Sequence, residues 1–298
     1  MVCLAVLIVL FLSTASCGIE KNKVAVISLS GPIQSDSSSG FLFGGSVITP
    51  ESVRTELERA RNDAGVKAVV IQINSPGGSV AASQEIVNLL EQVKKPVVIS
   101  MSDLAASGAY YISAGTDKIV ALPGSLVGSI GVISEMPNLK GLFDKLGIDM
   151  QVVIAGEHKD MYAGFRELTP EEKAILQDMT DQLYDQFVLV VAQGRHLSED
   201  KVRELATGQL YTGTQAKQLG LVDELGGLQT AIDTAAGLAD ISNPEVEYYR
   251  PQAPSLLNSL LGMGWQKVSN FIQPTSLNAD DIILLDTLTN HYPQPEYR

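Results

Sequence analysis

Between Lys23 and Pro123 the chain alternates short Val/Ile-rich runs with amphipathic stretches, and this alternation constrains the fold more than any other feature. "KVAVISLSGPI" (23–33) reads as a strand ending in a Gly-Pro turn. "TPESVRTELERARND" (49–63) predicts a helix with Thr49 as N-cap and Pro50 in its first turn. "VKAVVIQINSP" (66–76), "PVVISMS" (96–102) and "KIVALP" (118–123) are strands, and "SVAASQEIVNLLEQVKK" (79–95) is a helix between the first two. Such alternation requires right-handed crossovers and a mainly parallel α/β sheet with flanking helices. Sites in these sheets lie where strands end and helices begin. Two glycine-bearing turns fall at such places: "NSPGGS" (74–79) and "AASGA" (105–109).

Past Lys159 the pattern turns helical. "TPEEKAILQDMTDQLYDQFVLVVAQGR" (169–195) opens with a capping box of Thr169 and Glu172 and carries one apolar face. "SEDKVRELATG" (198–208) predicts a second helix, and "TGTQAKQLGLVDELGG" (212–227) a third with a glycine stop. The organisation expected is a signal peptide or membrane anchor at 1–19, a main domain at 23–227, and a helical C-terminal extension at 228–298 with no assigned role. Within that extension, "APSLLNSLLGMGWQKVSNFI" (253–272) is weakly amphipathic. It either closes its own core, packs on a neighbouring subunit or lies on a membrane surface.

A composition of 45% hydrophobic and 18% charged residues is that of a globular protein with a sizeable core. A net charge of −13 repels phosphate backbones and argues against nucleic-acid binding. Both cysteines, Cys3 and Cys17, precede the folded part, which therefore has no disulfide and no thiolate metal site. His158, His196 and His291 show no metal-binding spacing, and neither metal nor cofactor is expected. Residues 2–19 carry no charge, which fits export or a membrane tether. "STASC" loosely resembles a lipoprotein cleavage site with Cys17 as the acylated residue.

Ser107 stands among small residues at a predicted strand-to-helix junction. It is either an N-cap beside packing residues or a nucleophile that a substrate backbone can approach. A helix starting there would direct free N–H groups at developing negative charge. "NSPGGS" adds exposed amides, and the Gly78 N–H is the best candidate for an oxyanion donor. No histidine lies between Ser107 and position 157, and no GxSxG elbow occurs. Ser198, in "SEDK", reads as a helix cap. Two bases remain open, His158 and Lys159. A lysine serves only when its amine is neutral, which requires a dry site. The apolar runs "MQVVIAG" and "MYAGF" around it could supply one. Glu157 and Asp160 oppose it unless the segment is extended and turns them to the other face. Ser125 and Ser129, in "GSLVGSIGV" (124–132), are the hydroxyls available to orient such a lysine.

Taken together, "NSPGGS", "SDLAASGAYY", "GSLVGSIGVI", "GEHKDMYAGFREL" and "YTGTQAKQLGLVDELG" resemble the signal peptide peptidase A family, peptidase family S49, in its short single-copy form. The resemblance runs from about Lys23 to Gly227 and includes a separation of 52 residues between serine and lysine. It implies a Clp/crotonase-like fold and a membrane-associated serine endopeptidase. Ser107 is then the nucleophile, Lys159 the general base, Ser129 the hydroxyl that orients it, and Gly78 an oxyanion donor. Gly108, beside the serine, is expected to be the second donor. It further implies a homo-oligomeric ring in which serine and lysine meet across subunit interfaces. The catalytic domain would lie on the extracytoplasmic side of the cell membrane, and remnant signal peptides or other hydrophobic peptides would be the substrates. The alternatives are a membrane Ser-Lys protease of the stomatin-linked type, a crotonase-like acyl-CoA enzyme, and a non-enzymatic scaffold.

Overall fold

A computed structural model of the chain describes residues 22–36 and 46–249. The 2–19 segment with Cys17, most of the Ser/Gly-rich 35–46 loop, and the 251–298 tail lie outside the described residues. The order is β1 (Lys23–Ser30), α1 (Pro50–Asn62), β2 (Val66–Ser75), α2 (Val80–Glu91), β3 (Val97–Ala106) and α3 (Gly108–Ala114). Then come β4 (Lys118–Ala121), β5 (Leu126–Gly128), α4 (Lys140–Leu146), α5 (Pro170–Arg195), α6 (Glu199–Leu205) and β6 (Leu210–Thr212). The sequence closes with α7 (Gly213–Gln218), β7 (Glu224–Leu225), α8 (Leu228–Leu238) and β8 (Glu245–Tyr249). The strands form one sheet in the order β6-β5-β3-β2-β1-β8, with β4 and β7 branching from β3. Among the described residues only the β5–β6 pair is antiparallel.

The Val/Ile runs are continuous because both faces of the sheet are covered. On β1, Val24 and Val26 join Ala68, Val70, Val98 and Val120 against Ala231, Ile232 and Ala235 of α8. The alternate residues Ala25, Ile27 and Leu29 enter the larger core on the opposite face, with α1, α2, α3 and α5. α1 begins as expected: Thr49 caps it in a capping box with Ser52, and Pro50 occupies its first turn. α5 likewise starts in the Thr169–Glu172 box.

The 212–227 stretch departs from the single helix its pattern suggests. α7 ends at Gln218, and Gly220 takes a φ of +79°, where helix cannot continue. Leu221 and Val222 then turn into the core, and Glu224–Leu225 pair with β4 as β7. Asp223 fixes this return: it accepts from the Ile119 N–H at 2.8 Å and pairs with Arg195 at 2.8 Å.

β3 changes partners along one edge. Val98–Met101 pair with β4, and Leu104–Ala106 pair with β5. At the changeover the buried Ser125 hydroxyl points at the carbonyls of Ser102 and Met101 and accepts from the Leu122 N–H.

Candidate active site

The carboxyl ends of β2, β3 and β5 lie side by side in parallel register. Ser75 is opposite Ala105, and Ala106 is opposite Gly128. The turns after these strands therefore meet at one point, as the open α/β geometry requires. Ser107 follows β3 and precedes α3 with φ 51° and ψ −122°, and its side chain makes no capping bond. This rejects the N-cap reading of the serine: an ordinary cap has extended backbone and a hydroxyl bonded into the first turn. A non-glycine residue in that conformation is strained and is held there by its surroundings. Two bonds hold it: the Ser107 N–H donates to Gly128 at 2.7 Å, and the Ser107 carbonyl accepts from Tyr111 at 2.9 Å.

The "NSPGGS" turn packs directly on this point. A Cβ on Gly77 would stand 2.6 Å from the Gly108 nitrogen and 2.8 Å from the Ser107 Cβ, so only glycine admits the approach. The site on Gly108 where a Cβ would stand is 3.4 Å from the Gly78 nitrogen. The two amides proposed from sequence as oxyanion donors thus converge beside Ser107. Neither N–H has an acceptor among the described residues. With Ser107 they line a cavity of about 90 Å3. Its apolar wall is made by Val80, Tyr111, Ile133, Leu183 and Phe187. Tyr111 and Phe187 meet edge to face at 5.2 Å, and burial pushes the Tyr111 hydroxyl upward in pKa.

The structure separates the two serines of "GSLVGSIGV". Ser125 is used at the sheet changeover and is buried. Ser129 is half-buried, immediately follows Gly128, and has a φ of 48°, close to that of Ser107. Its N–H donates to Gln209 at 2.9 Å, which leaves its hydroxyl uncommitted among the described residues.

Lys159 is placed elsewhere. It lies in an exposed turn, is absent from the lining of the Ser107 cavity, and its amine has no partner among the described residues. The dry pocket expected from the flanking apolar runs does not form within this one chain: Val152, Val153, Ile154 and Tyr162 are exposed. The segment is a turn closed by Lys159 N–H to Gly156 and Met161 N–H to His158, so its neighbours are not sorted by strand alternation. Asp160 is removed in another way. Arg166 donates to both its oxygens, at 2.6 and 2.8 Å, and holds its carboxyl below the usual range. The other edge of Arg166 engages both oxygens of buried Glu172, again at 2.6 and 2.8 Å. The Arg166 and Thr169 N–H groups lower the Glu172 carboxyl to about 2. His158, the rival base, lies with Nδ1 3.7 Å from Glu172 and outside the Ser107 cavity. Ser198 caps α6 by accepting from the Lys201 N–H, as expected. Sequence reasoning assigned Arg166 no role. Its signal was faint: an arginine six residues before the capping glutamate of a long helix.

Comparison with known proteins agrees with this architecture. The family described as Peptidase family S49 matches residues 90–242, and the Clp protease family matches residues 49–127. A signal peptide peptidase SppA named from Enterococcus faecium is 36% identical over 82% of this chain and 72% of its own length. A protein named as a protease from Synechocystis is 40% identical over 76% of this chain and 78% of its own. Protease 4 of Haemophilus influenzae is 35% identical over 80% of this chain, which spans 40% of that protein. Among solved structures, a membrane-bound stomatin-specific protease matches the fold with a TM-score of 0.50 at 20% identity, over 78% of this chain and 99% of that one.

Proposed function

The chain belongs to peptidase family S49, and from that premise we propose that it is a serine endopeptidase acting through Ser107 and Lys159. The observation that carries the reading is the strained, uncapped Ser107 beside two amides that have no acceptor among the described residues, in an apolar cavity. The Ser107 hydroxyl attacks a peptide carbonyl and passes its proton to the neutral Lys159 amine. The Gly78 and Gly108 N–H groups take the oxyanion. The intermediate collapses with cleavage of the C–N bond, and Lys159 returns its proton to the leaving amine. Water, activated by the same lysine, then hydrolyses the acyl ester and regenerates the hydroxyl. Ser129 orients the lysine amine.

The exposed Lys159 turn and the apolar residues around it support a dyad assembled between copies of the chain. One subunit's Lys159 would then enter the Ser107 cavity of the next, in a ring. Cavity walls of Val80, Leu183 and Phe187 suit hydrophobic peptides, among them remnant signal peptides. A membrane tether at 1–19, by apolar span or by an acylated Cys17, would present the site on the extracytoplasmic side. Among the described residues no helix is long and apolar enough to cross a membrane.

Labelling by a fluorophosphonate probe tests the reading. The full chain should label at Ser107, while Ser107→Ala and Lys159→Ala should not, with assembly intact in both. Full labelling and peptidase activity in Lys159→Ala, with loss in His158→Ala, would overturn the base.

A further inference from the structure

The turn that carries Lys159 is fastened to an ion-pair cluster through Asp160, and His158 lies beside the same cluster. Asp160, the residue after it, accepts two bonds from Arg166. His158, the residue before it, approaches Glu172 at 3.7 Å. Glu172 is buried, accepts two further bonds from Arg166, and accepts from the Thr169 N–H at 2.8 Å. Arg166 also donates to the Glu167 carbonyl at 3.0 Å, so the guanidinium is committed on every edge. A planar fork of this kind fixes orientation as well as distance. Its anchor is the first turn of α5, the helix that carries Leu183 and Phe187 into the Ser107 cavity wall.

The charges around the lysine make the arrangement consequential. The turn itself carries Glu157, His158 and Asp160, α5 adds Glu171 and Glu172, and the strand of chain between them adds Arg166 and Glu167. The Glu157, His158 and Glu171 donor atoms lie within 4.8 Å of one another. On α4, which packs next to this segment through the Leu139 N–H bond to Gly164, Lys140 and Asp144 pair with each other. Arg166 is thus the cation that takes up the carboxylate adjoining the lysine. A carboxylate left free there would favour a protonated amine, which is useless as a base.

We propose that Arg166 is the positioning residue of the lysine turn, fixing it to the start of α5 and occupying Asp160, the carboxylate that adjoins Lys159. This rests on Lys159 acting as the base. It assigns Arg166 no contact with substrate.

The test uses the full-length protein and a hydrophobic peptide substrate, with kcat, KM and pH–rate profiles for four variants. Arg166→Lys keeps the charge but cannot fork to two carboxylates, and kcat should fall about tenfold or more while KM stays near the wild-type value. Arg166→Gln should lose more and shift the ascending limb of the profile to higher pH. Arg166→Gln combined with Asp160→Asn should return that limb toward its wild-type position, which a purely structural loss would not do. Wild-type kcat and profile in a folded Arg166→Lys would overturn the proposal. So would a double variant whose limb stays where Arg166→Gln put it. Lys159→Ala separates the two questions: if it remains active, the base assignment has failed, whereas inactive Lys159→Ala with normal Arg166→Lys sinks only the positioning role.

Discussion

The backbone N–H of Ser107 donates to the carbonyl of Gly128 at 2.7 Å, so the last rung between β3 and β5 is made by the candidate nucleophile itself. That rung also sets the neighbouring residue, Ser129, level with Ser107 at the end of the adjacent strand. Both serines then leave the sheet with positive φ, 51° and 48°.

The strain at Ser107 is measurable. Ser107→Ala and Ser107→Gly both remove the hydroxyl, but only glycine accepts φ 51° without cost. The glycine variant should melt above the alanine variant by an amount equivalent to about 1 kcal/mol. Equal melting temperatures would show that the backbone there is relaxed.

Gly108 has its own steric signature. A Cβ there would lie 2.6 Å from the Ser83 Oγ, which donates to the Ser79 carbonyl at 2.8 Å, and 3.4 Å from the Gly78 nitrogen. Gly108→Ala should lose both stability and about a hundredfold in kcat by crowding the oxyanion amides. Adding Ser83→Ala should recover much of the stability and little of the rate. Recovery of both together would argue that the amides have no part in the reaction.

Ser129→Ala keeps the backbone bond to Gln209 and removes only the hydroxyl. Loss of one hydrogen bond to the lysine should slow turnover by about tenfold without abolishing it. Unchanged kcat would release Ser129 from the site.

Acid should loosen the start of α5. Glu172 is held at about 2 by Arg166 and the Thr169 N–H, well below the usual 4.5. A lowered folded value means stability that is present above about pH 4.5 and is lost as pH falls toward 2. Glu172→Gln should therefore melt below wild type at neutral pH, and the gap should close across that window. A gap independent of pH would remove Glu172 as the acid-sensitive group.

The parallel α/β plan was legible because Val/Ile runs of strand length recur with capped helices between them. Ser107 and the two glycines were legible for a related reason: a parallel register brings the ends of neighbouring strands together. The surroundings of Lys159 were not. Apolar neighbours in sequence read as a dry pocket, yet Val152, Val153 and Ile154 face outward, since burial depends on what packs against a segment as well as on its composition. β5 and β6 were hidden because strands of three residues carry almost no periodic signal. Arg166 escaped because Glu172 had already been explained as a capping residue, and a cap uses only part of a carboxylate's accepting capacity.

The partner change along β3 leaves a gap in the ladder that one side chain fills. Between Met101 and Leu104 the pairing of β3 passes from β4 to β5, and the Ser125 hydroxyl stands at that point. Position 125 is therefore a splice in the sheet, and its chemistry is set by the carbonyls it joins. A valine would suit the surrounding strands by propensity and size, yet it would take the hydroxyl donor away from the Ser102 and Met101 carbonyls directly upstream of the turn that aims Ser107.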